Sequence, residues 1–175
     1  AYDCYEPTII ANGGIPVLVQ MEGKELSVNW DEVARCINPK TRMIIINTPH
    51  NPSGRVFSRE EMLRLESLLR DTDILVVSDE VYEHLIFDGE KHQSACMFAD
   101  LKSRSFIVSS LGKTFHNTGW KIGYCCAPQH LMEEFRKVHQ FNVFSVNHPA
   151  QKGIADYMQD AETYLGLNSF FQQKR

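Results

Sequence analysis

Ile74-Leu75-Val76-Val77-Ser78-Asp79-Glu80-Val81-Tyr82 is the stretch that decides how this chain folds. An apolar run rich in β-branched residues closes on a serine and an acid, the pattern of a buried strand with a polar end. Runs of the same kind lie on either side, from Arg42 to Asn47 and from Phe106 to Ser109. Between them Ser58, followed three positions on by Glu61, is a capping-box pattern that opens a helix to about Arg70. Strand-sized apolar runs separated by helices predict an α/β fold with a mostly parallel sheet sandwiched by helices.

Further out, Tyr5 to Asn12 predicts a helix closed by Gly13-Gly14, and Ile15 to Met21 a strand. Trp30 to Ile37 predicts a short helix and Trp120 to Cys126 a strand antecedent to three helices: Gln129 to Gln140, Ala150 to Gln159 and Ala161 to Lys174. Five strands are thus expected in the sheet.

Composition narrows the function classes. The 175 residues suffice for one domain with a hydrophobic core. A formal net charge of −4 offers no basic footprint for nucleic acid. No apolar run approaches the ~20 residues of a membrane helix. Five cysteines include no Cys-x-x-Cys pair, and Cys125 and Cys126, adjacent in an expected strand, should point to opposite faces. Reduced thiols and a cytoplasmic protein are the expectation. The seven histidines show no His-Glu-x-x-His and no short His/Cys cluster, so no metal site is expected. The chain opens Ala1-Tyr2-Asp3-Cys4-Tyr5, without methionine or targeting pattern, and reads as an internal piece of something longer.

In sheets of this kind ligands sit at the carboxyl ends of the strands. Three segments qualify. Asp79-Glu80-Val81-Tyr82 could be a loop cap with a packing aromatic, or an acid and a phenol turned toward one site. His50-Asn51-Pro52-Ser53-Gly54 could be a plain turn. Ser109-Ser110-Leu111-Gly112-Lys113 could cradle a phosphate, although the Walker spacing is absent. Lys121, between Trp120 and Ile122, is costly there unless it meets an anion.

Taken in order, these segments resemble the class I/II, fold-type I aminotransferases. The family pattern runs Asn-Pro-x-Gly, Asp-x-x-Tyr, Ser-x-small-Lys, then a cation eight residues on. Here it reads Asn51-Pro52-Ser53-Gly54, Asp79-Glu80-Val81-Tyr82, Ser110-Leu111-Gly112-Lys113 and Lys121. Gly112-Lys113-Thr114-Phe115-His116, Thr118-Gly119-Trp120-Lys121 and Lys137-Val138-His139-Gln140 look like the kynurenine/glutamine and methionine aminotransferase branch.

The resemblance implies pyridoxal 5′-phosphate as cofactor, held by Lys113 as a Schiff base. It implies Asp79 on the pyridine nitrogen, Asn51 and Tyr82 on the phenolic oxygen, Tyr2 stacked on the ring, and Ser110 and Lys121 on the phosphate. Lys113, Asp79 and Tyr82 are the expected catalytic residues. Position 121 is more often arginine in the family; lysine keeps the charge and loses the two-pronged grip. The implied reaction is ping-pong transamination between an amino acid (methionine, glutamine, kynurenine or aromatic type) and a 2-oxo acid, in a homodimer. Cysteine-conjugate β-elimination and a non-catalytic regulatory domain are the alternatives on the same fold. Residues 1–148 correspond to the central part of the cofactor-binding large domain, and 149–175 to helices leading toward a C-terminal small domain. The family's carboxylate-binding arginine matches no arginine here, so substrate binding and activity are expected to need more chain than this.

Overall fold

The computed structural model describes residues 2–175. Near the start, α1 (Tyr5–Ala11) is closed by Gly13 in a left-handed conformation. A two-residue hairpin follows, β1 (Met21–Glu22) antiparallel to β2 (Ser27–Val28). The strand expected over Ile15 to Met21 is therefore corrected: only its last residue is paired. Pro16 has no N–H for a ladder, and Ile15, Val17 and Leu18 are exposed with no alternation of burial.

Beyond α2 (Trp30–Cys36), capped by the Asn29 side chain, lies β3 (Met43–Asn47). The predicted capping box is present, with Ser58 accepting from the Glu61 N–H and Glu61 from the Ser58 N–H, and it starts α3 (Arg59–Leu69). Next come β4 (Leu75–Asp79), α4 (Ala99–Arg104) and β5 (Ser105–Ser110). After α5 (Leu111–Thr114), a tight turn over Thr118–Trp120 delays the next strand, so β6 spans Gly123–Cys126 rather than starting at Trp120. The remainder is helical: α6 (Gln129–Asn142), α7 (His148–Tyr157), α8 (Glu162–Leu165) and α9 (Leu167–Gln172). Gly166 divides the last expected helix in two.

The main sheet has the order β3-β4-β5-β6, with the first three strands parallel and β6 antiparallel to β5. Four strands, not five, make it. Met62, Leu65 and Leu69 recur on one face of α3 and are buried against Ile46, Val76 and Ile107 of the sheet. Each such side chain contributes roughly 1.5–3 kcal/mol by leaving water. On the opposite face, the Phe106 ring lies 6.1 Å from that of Phe135 in α6. Helices thus lie on both faces, with the α3 face buried and the α6 face half-buried.

Candidate active site

Register places the chemistry. Asn47 pairs with Asp79 and Asp79 with Val108, so the carboxyl ends of β3, β4 and β5 lie side by side. Three loops leave from that edge, and a cavity of about 280 Å³ opens between them. Tyr2, Asn51, Asp79, Tyr82, Ser110 and Lys113 all line it. Of the residues nominated from sequence, Lys121 alone does not. It is exposed, in a left-handed conformation (φ 55, ψ 44) just past the Thr118–Trp120 turn.

Asp79 is held by both oxygens. Its Oδ1 accepts from the Val81 N–H at 3.1 Å, a turn closed by the side chain, and Oδ2 accepts from the Tyr5 hydroxyl. Val81 to His84 is a turn rather than the helical turn expected there, and it still brings Tyr82 to the cavity beside Asp79. Lys113 extends from α5 with Nζ 5.9 Å from the centre of the Tyr82 ring. Among the described residues it forms no ion pair with Asp79, which leaves its amine available.

Space beside Ser110 is tight, which favours glycine at position 112. A Cβ on Gly112 would lie 3.0 Å from the Thr118 Cα and 3.3 Å from the Ser110 Oγ. The Thr118 hydroxyl donates to the Gly112 carbonyl at 3.1 Å, so the loop closes tightly behind the serine. Tyr2 stands at the rim, half exposed, its ring edge-on to Tyr5 at 5.9 Å.

This donor set fits pyridoxal phosphate. An aldehyde needs a free amine (Lys113), and a pyridinium nitrogen needs a carboxylate (Asp79). A phenolic oxygen needs donors (Asn51, Tyr82), the ring face an aromatic (Tyr2), and the phosphate a hydroxyl in a tight loop (Ser110). No arginine lines the cavity among the described residues. Arg55, Arg64 and Arg175 are instead paired with Glu61, Asp31 and Asp88.

Sequence reading missed three features. Tyr5 was assigned only to a helix, although it follows Tyr2 by one turn. Asn47 is expected only as the end of a strand, yet it donates to the Asp79 carbonyl and accepts from the Asn51 N–H. The third is a polar network behind the cavity. Glu80, 1 % exposed, accepts from Ser78, from the Ala95 N–H, and pairs with His92 at 2.7 Å. Burial works against its ionisation, but those three partners outweigh it and hold the carboxyl below the ordinary glutamate range. Glu83 accepts from Ser109 and from Tyr124. Glu80, Glu83 and His92 offer ligand atoms within 4.8 Å of one another, but both Glu80 oxygens and Oε1 of Glu83 already accept from these protein donors. No spacing rule finds this group, because His92 reaches Glu80 only when the long connection after β4 folds back on itself.

No helix among the described residues is long and apolar enough to cross a membrane. All five cysteines are free.

Comparison with known proteins gives the family. Residues 1–175 match the family model described as aminotransferase class I and II. The methionine aminotransferase of Escherichia coli K12 is 44% identical over 176 residues, covering 100% of this chain and 46% of that protein. Human kynurenine–oxoglutarate transaminase 1 is 38% identical over 184 residues, covering 98% and 44%. The crystal structure of an Escherichia coli protein with methionine aminotransferase function superposes with a TM-score of 0.97 at 44% identity, covering 100% of this chain and 47% of that one. The N-succinyldiaminopimelate aminotransferase of Mycobacterium tuberculosis gives 0.90 at 32% identity, covering 99% and 46%. The chain thus spans less than half the length of these relatives. Fold, strand-end motifs and full-length family match converge, and the chain belongs to the class I and II aminotransferases.

Proposed function

We propose that this chain forms the cofactor-holding core of a pyridoxal-phosphate-dependent aminotransferase that exchanges an amino acid with a 2-oxo acid. The observation that carries the reading is the meeting of Lys113, Asp79, Asn51 and Tyr82 around one cavity at the ends of three parallel strands. When bound, pyridoxal phosphate supplies an aldehyde and an electron-withdrawing ring that accepts the electron pair released at the substrate Cα.

The residues do the rest. Lys113 Nζ would hold the aldehyde end of the cofactor and, as a free amine, would carry the proton taken from the substrate Cα. Asp79 keeps a proton on the ring nitrogen through an opposite charge. Asn51 and Tyr82 donate to the phenolic oxygen, and Tyr2 covers one ring face. Ser110 donates to the phosphate, with Lys121 as the cation exposed beside that loop.

Residues 1–148 belong to the large domain and 149–175 lead toward a small domain. The working unit is a cytoplasmic homodimer, and the amino donor is of the methionine, glutamine, kynurenine or aromatic type, methionine and kynurenine being the donors that the names of relatives carry. The test is a visible absorption spectrum of the full-length protein before and after adding methionine, glutamine or kynurenine. Loss of the aldehyde-derived band with gain of the pyridoxamine band supports transamination and ranks the donors. An unchanged spectrum with every donor overturns it.

A further inference from the structure

Asn47 is 7 % exposed and uses both ends of its carboxamide. Nδ2 donates to the Asp79 carbonyl at 3.0 Å, and Oδ1 accepts from the Asn51 N–H at 2.8 Å. One short side chain therefore spans the backbones of the two residues that would address the ring nitrogen and the phenolic oxygen of the cofactor. The two attachments are unequal in their backup. The Asp79 carbonyl also accepts from the Thr48 N–H at 3.0 Å, whereas Asn47 supplies the Asn51 N–H with its acceptor. Losing the carboxamide leaves Asp79 anchored and frees Asn51.

We infer that Asn47 is a positioning residue of this site, holding Asn51 at the distance from Asp79 that lets it address the phenolic oxygen of the cofactor. The inference rests on the cofactor reading above. A carboxamide is needed because the two positions ask for a donor and an acceptor at once. A carboxyl group can supply both only when protonated. The titratable groups that line the cavity with it are Asp79 on β4, Tyr82 in the turn after it, Lys113 on α5 and Tyr2 before α1, with Tyr5 of α1 bonded to Asp79. Burial beside the Asp79 carboxylate would disfavour ionisation, and Lys113 would favour it.

The experiment compares wild-type, Asn47→Leu and Asn47→Asp full-length holoenzymes, with Asn51→Ala as reference. Turnover and the pH titration of the bound cofactor's absorbance are read together. Asn47→Leu should lower kcat about tenfold, as expected for one lost buried hydrogen bond, and shift the absorbance titration in the direction Asn51→Ala does. Asn47→Asp should match wild type on the acid side, where the introduced carboxyl donates to the Asp79 carbonyl. Once ionised, that carboxyl sets a charged oxygen against the Asp79 carbonyl oxygen, which should turn the side chain away and release Asn51 too, so turnover relative to wild type should fall about tenfold as pH rises. A purely structural role would leave the absorbance titration unchanged. Wild-type-like titrations in both variants, or an Asn47→Asp ratio flat with pH, overturn the inference while the cofactor reading stands. A wild-type protein that binds no pyridoxal phosphate overturns both.

Discussion

Tyr5 and Asp79 are separated by 74 positions in sequence, and the Tyr5 hydroxyl donates to Oδ2 of Asp79. Burial first, and then this bond, push the phenol above its ordinary range, so the proton stays on tyrosine and the carboxylate remains the acceptor. The contact pins α1 to the end of β4 and carries Tyr2, edge-on to Tyr5, to the cavity rim. Tyr5→Phe removes only the hydroxyl. The ring should still support Tyr2, while Asp79 loses one of its two fixed orientations. Turnover of the full-length enzyme should fall about tenfold, the worth of one hydrogen bond to a charged group, with cofactor affinity reduced less. Kinetics identical to wild type would show that the contact does not orient Asp79.

Asp79→Asn keeps the shape and deletes the charge. The ring nitrogen then lacks its counter-charge, and turnover should drop on the order of a hundredfold or more, because the interaction strengthens as negative charge develops. Bound cofactor, counted by absorbance, should be largely retained. Near-normal turnover would mean that Asp79 serves only to close the turn with Val81.

Glu80 makes stability depend on acid. Its carboxyl lies below the ordinary glutamate range in the folded chain, so its stabilisation is fully present above that range and is lost as pH falls through the folded value. Glu80→Gln should therefore cost about 1–3 kcal/mol near neutral pH, measured by urea unfolding. The gap to wild type should close on acidification. A gap that stays constant with pH would sink the pairing with His92 as its source.

The uncovered surface gives a further test. Among the described residues, β3 and β6 each pair with one strand only, and Ile15, Phe141 and Phe144 are 88, 84 and 88 % exposed. Unpaired edges and bare aromatics favour association. The 175-residue chain expressed alone should bind hydrophobic dyes and aggregate. A monodisperse, dye-silent chain would refute this.

Much of this was legible in the residues, for stated reasons. Apolar runs that end in polar residues mark strand carboxyl ends, so Asp79, Asn51 and Lys113 could be placed on one edge before any coordinates. Local signals such as the Ser58–Glu61 box are carried by short spacing and survive folding. The Ile15 to Met21 segment misled because apolar content does not supply a partner strand, and Pro16 removes a donor. Tyr5, Asn47 and the Glu80–His92 pair were illegible for another reason. Tyr5 and Asn47 act where distant segments meet, and His92 reaches Glu80 where one long connection folds back, neither of which spacing encodes. Lys121 carries the family's motif spacing, while its left-handed backbone turns on a local conformation that spacing does not encode.

The central claim is that Lys113 bears the cofactor. Borohydride reduction of the full-length holoenzyme, followed by proteolysis and mass spectrometry, measures this directly. The account predicts a single pyridoxyl-phosphate adduct on the peptide containing Lys113, and its disappearance in Lys113→Ala. An adduct on Lys121 or any other lysine, with Lys113 unmodified, would contradict it.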